Sequence, residues 1–275
     1  MPTDFFHAVA SYGFLQNAVL AGLLASLACG VIGTYVVVKR IAFISGGIAH
    51  AVLGGMGIAY FFGGRPLLGA IPAALLSAVI IGWVSLRARE REDTIIGALW
   101  AVGMAVGIMF IYKTPGYSAD LFSYLFGNIL MVSAENVWLV GVLDAVIILL
   151  VVMFFKGFTA VCFDEEFARV QGLNVDVLYI FLLCLVALTV VILVQVVGIV
   201  MVIALLTLPA AIAGQWLRGL RHMMIGACAA GMLFTQSGLA VSYTYDLPAG
   251  ATIVLIAGVT FLGSTIFKTL AERGH

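Results

Sequence analysis

Apolar residues run through this chain in long unbroken segments, and the charged residues collect between them. Nine such segments can be marked off, at residues 14–38, 41–63, 66–86, 95–112, 136–155, 173–196, 198–217, 222–242 and 249–267. Each is continuously apolar over about 18 residues or more, close to the length a helix needs to cross about 30 Å of hydrocarbon. Barrel strands would instead alternate apolar and polar positions, and no such alternation is present. The pattern predicts an all-α integral membrane protein, a polytopic helical bundle of about nine spans. Eight or ten spans fit nearly as well, because only Val197 separates the sixth and seventh segments. That junction reads either as a tight hairpin or as a broken, partly inserted helix.

The charges orient these spans. If the first runs outside to inside, Lys39, Arg40, Arg87, Arg89, Arg91, Lys156, Arg169, Arg218, Arg221, Lys268 and Arg273 share one face, and only Arg65 and Lys113 fall on the other. Lys and Arg are retained on the cytoplasmic side of short loops, so this split predicts an outer N-terminus and a cytoplasmic C-terminus. The first apolar run is followed, not preceded, by Lys39 and Arg40, which reads as an anchor rather than a cleavable leader.

Composition agrees with the pattern: 64% hydrophobic against 9% charged residues leaves too little polar surface for a water-soluble fold. The 13 basic and 13 acidic residues cancel, so no net field attracts nucleic acid. Cys29, Cys162, Cys184 and Cys228 stand far apart, which argues against a disulfide framework or a cysteine zinc site.

Two stretches are too polar to span and too apolar for plain loops. Residues 112–130 read as an outer turn followed by a short re-entrant or interfacial helix. Residues 157–172 read as the longest inner loop, carrying a short helix with acids at its start and a glycine stop. The rest forms a single transmembrane domain over 1–275. Glycines along helical faces, such as Gly103 and Gly107 and the cluster Gly46, Gly47, Gly54, Gly55 and Gly57, read as close-packing positions. Pro209 reads as an interruption of the seventh span.

Two ionisable side chains lie deep in apolar segments: His50 in the second and Asp144 in the fifth. Titratable groups at this depth are candidate functional sites, and imidazole and carboxylate both suit zinc or manganese. The chain has no Gly-Lys dipeptide and hence no phosphate loop of the G-x-x-x-x-G-K type, so ATP would have to be hydrolysed by a partner. One deep His and one deep Asp supply neither a metalloprotease His pair nor a paired-aspartate dyad, which weakens intramembrane proteolysis.

Several stretches, in order, resemble the permease subunits of ATP-binding-cassette importers for zinc, manganese and iron. They are residues 30–43, 49–53, 125–130, 164–172, 208–211 and 242–251. The resemblance implies a homodimeric pore of the cobalamin-importer type in a prokaryotic plasma (inner) membrane, surrounded by lipid. It implies two cytoplasmic ATPase subunits carrying the ATP, and an extracytoplasmic protein that delivers the metal. No cofactor is bound permanently, and the chain itself is not an enzyme in this picture. Asp164, Glu165, Glu166, Phe167, Ala168, Arg169 and Gly172 then correspond to the helix that couples to the ATPase. The family commonly carries an aspartate four residues before the histidine, where this chain has Gly46. His50 therefore needs a ligand from elsewhere, its symmetry mate or Asp144, or it is a poorer site. Zinc is favoured, with manganese or iron also compatible. A permease for a metal chelate or cobalamin, and a stand-alone proton-coupled metal carrier, are the competing readings.

Overall fold

The computed structural model describes residues 2–87, 92–114, 127, 129–199 and 202–273. Eleven α-helices and one short 3-10 turn account for nearly all of them: α1 (Pro2–Ser11), α2 (Gly13–Lys39), α3 (Ala42–Phe61), α4 (Pro66–Arg87), α5 (Glu92–Lys113), the turn Ile129–Met131, α6 (Ala134–Phe163), α7 (Glu165–Val170), α8 (Val175–Val197), α9 (Val202–Trp216), α10 (Leu220–Tyr245) and α11 (Ala249–Arg273). Eight of these, α2 to α6, α8, α10 and α11, are long and apolar enough to cross a membrane. The seventh predicted segment behaves differently. α8 stops at Gly198, in a backbone region (φ 81°, ψ 166°) that favours glycine. The 15 residues of α9 then rise only about 22 Å, at about 1.5 Å each.

Contacts at the helix ends show which way each element runs. At one end of the bundle, Lys39 of α2 meets Glu165 of α7, while Ser85 of α4 meets Glu92 of α5 and Tyr179 of α8. We call this the coupling end, after the role that the resemblance implies for residues 164–172. At the other end, Arg65 before α4 pairs with Glu135 of α6 at 3.2 Å, and Gly127 lies against the backbone of Val197 and Gly198. Lys268 of α11 donates to the Gln215 carbonyl of α9 at 2.8 Å, and Arg221 at the start of α10 sits 5.0 Å from the Phe155 ring of α6. α9 therefore carries the chain back to the coupling end, and the seventh predicted pass is made by a short helix instead of a full span.

Two further expectations are corrected. Pro209 does not interrupt its helix, because α9 runs through it and the break lies upstream, beyond Gly198. Residues 157–163 are not loop: α6 continues to Phe163, about 45 Å in all, because a lone Gly157 is too weak a breaker to end a strongly apolar helix. Of the re-entrant helix expected at 112–130, residues 115–126 and 128 lie outside the described residues.

α2, α3 and α8 form the buried centre, while α5, α6 and α11 present most of their surface outward. α3 packs most extensively on α5, along a seam of small residues. Gly54 faces Gly103 and Gly57 faces Gly107, and an added Cβ at Gly103 would strike the backbone of Ala51. The absence of side chains lets the two backbones touch, as the glycine spacing predicted. Gly103→Leu is expected to wedge the helices apart at a cost of about 1–3 kcal/mol, typical of overpacking. Thermal unfolding in detergent measures this, and an unchanged melting temperature would show that the seam is not tightly packed.

Candidate functional site

α3 and α5 start from the same end and run in parallel, so residues about fifty apart in sequence stand side by side. His50 and Trp100 are one such pair, each the ninth residue of its 20- or 22-residue helix. Their rings stack, with centroids 4.0 Å apart and planes 7° from parallel. Trp100 is itself steadied by its indole N–H, which donates to Met104 Sδ at 3.2 Å. The stack fixes the plane of the imidazole, whose Nδ1 is buried and has no hydrogen-bond partner. An unpartnered ring nitrogen at mid-span, held by an aromatic face, is a candidate nitrogen donor.

The Gly46 position has a structural counterpart. A Cβ built on Gly46 would run into Cδ1 of Ile203, from the first turn of α9. The space that an aspartate four residues before His50 would occupy is filled by the end of an isoleucine. The side chain next to His50 on this helical face is therefore apolar.

Asp144 is buried, at 2% exposure, and neither carboxyl oxygen has a hydrogen-bond partner. It faces α2 and α10, where Cys29 and Cys228 lie within its electrostatic reach. α6 packs on α2 and α8 and has no extensive contact with α3. The structure thus does not bring His50 and Asp144 together in one chain, because their helices share no extensive contact and α8 is the element that packs on both. Among the described residues no group of three or more His, Cys, Asp or Glu side chains stands close enough to hold a metal ion.

The short helix α7 is built as its sequence predicts. Asp164 caps it by accepting from the Phe167 amide at 2.9 Å, Glu165 and Glu166 occupy the first turn, and Gly172 at φ +81° terminates it. Ala168 is buried beneath it, while Phe167 and Val170, 55% and 86% exposed, point outward with Glu166. Arg169 turns to pair with Asp176 at the start of α8. Glu165 also turns inward, onto Lys39. The resemblance had assigned Glu165 to the coupling helix together with Glu166, and spacing within one turn could not separate them.

Lys39 is the centre of a polar chain that no motif announced. Its ammonium donates to the Val161 carbonyl at 2.9 Å, pairs with Glu165, and lies 5.8 Å from the centroid of the Tyr179 ring. Tyr179 and Ser85 hydroxyls are 3.2 Å apart, and Ser85 donates to Glu92 at 2.9 Å, leaving Tyr179 as donor to Ser85. These groups line a cavity of about 380 Å³ that opens at the coupling end. They connect α7 through α2, α8 and α4 to the first residue of α5, the helix that carries Trp100.

Eight helices long and apolar enough to cross a membrane define a multi-pass membrane bundle. The sequence profile described as the ABC 3 transport family matches residues 11–268, and the chain belongs to that family. It is accordingly a translocation subunit of an ATP-binding-cassette transporter, with ATP hydrolysis on a separate subunit. A membrane protein of Synechocystis, described as uncharacterised, is 50% identical over 94% of this chain and 92% of its own. A "manganese transport system membrane protein" of Halalkalibacterium halodurans is 35% identical over 97% of this chain and 91% of its own. Among solved structures, PsaBC from Streptococcus pneumoniae in complex with Fab contains a chain that superposes with a TM-score of 0.88 at 32% identity, covering 96% of this chain and 95% of that one.

Proposed function

We propose that the chain is the pore of an ATP-driven importer for a divalent transition metal. Manganese leads zinc and iron in this reading, since relatives that cover nearly the whole chain are named for manganese transport. The observation that carries it is the buried, unpartnered nitrogen of His50, held at mid-span against Trp100. A lone imidazole binds a metal weakly, and a transport site has to release its cargo. A second copy of the chain, related by a two-fold axis, would supply the facing ligand.

In this reading the coupling end is cytoplasmic, the N-terminus is outside, and a binding protein delivers metal at the Arg65–Glu135 end. α7 presents Glu166, Phe167 and Val170 to the ATPase, while Glu165 and Lys39 pass its displacement inward through Tyr179, Ser85 and Glu92 to α5. A shift of α5 moves Trp100 and with it the imidazole, opening the path to one side at a time.

Reconstitution with the ATPase and binding protein tests this directly. Uptake of manganese into vesicles is expected to require ATP, and competition by zinc and iron ranks the metals. Uptake that proceeds without ATP would instead mark a stand-alone carrier.

A further inference from the structure

Over α2, the second half of α6 and the first turns of α10 leave an open groove of about 660 Å³. Its floor is Val31 of α2, and Ile148, Val151, Val152, Met224 and Ile225 contribute to its walls. At the end nearest α7, two cations close it, Lys156 and Arg221. The guanidinium of Arg221 is held 5.0 Å from the centroid of the Phe155 ring. Neither cation has a carboxylate within ion-pairing distance among the described residues. α10 contains no acid at all, and those of α6, Glu135 and Asp144, lie about twelve or more residues from Lys156.

We propose that this groove is a binding site for an anionic phospholipid. The acyl chain would lie along the apolar walls and the headgroup phosphate would sit between Lys156 and Arg221. A groove on the outer surface of a membrane-spanning bundle must be filled by something apolar, and bilayer lipid is at hand. Burial alone selects no lipid, because hydrocarbon is as apolar as the groove. Selection comes from the two cations at the water boundary, where basic pockets between helices recognise anionic headgroups. The groove also lies away from the α3–α5 face that carries His50, so a lipid there leaves the permeation face free. It touches α6, the helix that runs directly into α7, and α10, which packs along α2.

The test uses the purified permease reconstituted in vesicles of equal phosphatidylglycerol and phosphatidylcholine, followed by gentle extraction and mass spectrometry of the intact complex. The wild type is expected to retain phosphatidylglycerol in preference to phosphatidylcholine. Lys156→Gln with Arg221→Gln is expected to reduce that preference roughly 30-fold, at about fivefold per basic residue. Ile148→Trp keeps both charges but fills the groove, and should lower retention of the bound lipid as well. Arg87→Gln with Lys268→Gln removes equal charge elsewhere at the same end and should leave retention unchanged. Equal loss in that control would mean a diffuse charge effect and overturn the site. So would a wild type with no preference, the result if a helix of another subunit filled the groove. Because this readout needs neither metal nor ATP, it stands or falls separately from the transport reading.

Discussion

Replacing His50 with alanine is expected to lower manganese uptake at least about tenfold, the lower end of the loss seen when even an outer partner of a metal ligand is removed. No nearby group can take over. Asp144 is on α6, which has no extensive contact with α3, the Gly46 position has no side chain, and its space is filled by Ile203. Folding should survive, because His50 makes no hydrogen bond through Nδ1 and contributes only its stack on Trp100. ATP hydrolysis measured alongside uptake separates a lost metal site from a lost assembly. Unchanged uptake and selectivity in His50→Ala would remove His50 from the path. The complementary change is Gly46→Asp combined with Ile203→Ala, which clears the space and places a carboxylate one turn before the imidazole on the same helical face. That double variant should bind metal about tenfold tighter or more and release it more slowly, so that maximal transport falls as affinity rises. Gly46→Asp alone should give less, since Ile203 must first move aside.

Lys39→Met is expected to uncouple the transporter, with ATP hydrolysis continuing while metal uptake falls severalfold. The ammonium joins three elements: the end of α6 through the Val161 carbonyl, α7 through Glu165, and α8 through the Tyr179 ring. Its side chain is only 16% exposed and that of Glu165 26%, so removing the cation leaves a partly buried carboxylate and a carbonyl without their donor. The cost is roughly 1–3 kcal/mol, enough to loosen α7 without unfolding a bundle of this size. Glu165→Lys should do similar damage by placing like charges together. If the pair itself carries the effect, Lys39→Glu combined with Glu165→Lys should recover part of the coupling. Glu166→Lys is a useful contrast: its side chain faces outward, and the double exchange at 39 and 165 should not repair it. Wild-type coupling in Lys39→Met would show that α7 communicates by another route.

His50 was legible because an ionisable group in a long apolar run stands out against its neighbours. Trp100 was not, because an aromatic residue in a membrane span is ordinary until the parallel packing of α3 on α5 brings it to the imidazole. Asp144 was legible as a buried acid but its neighbours were not, since depth along a helix says nothing about which way the side chain faces. The acids of α7 were found together by composition, yet Glu165 and Glu166 point to different partners. Adjacent helical positions differ by about 100°, and only the position of Lys39 decides which of them turns inward.

What the sequence determined by itself is local or additive: the membrane-spanning class, the position of eight spans though not all of their ends, the grouping of cations at one end, the capped short helix, and a family resemblance read from ordered motifs. Each depends on hydrophobic runs, charges and caps that act within a few residues. Tertiary structure alone decided that α9 is too short to span, that Ile203 fills the place beside Gly46, that Asp144 and His50 lie on helices without extensive contact, and that Lys39 links α7 to α5. These depend on contacts between residues far apart in the chain, where packing, not local preference, sets which side chains meet.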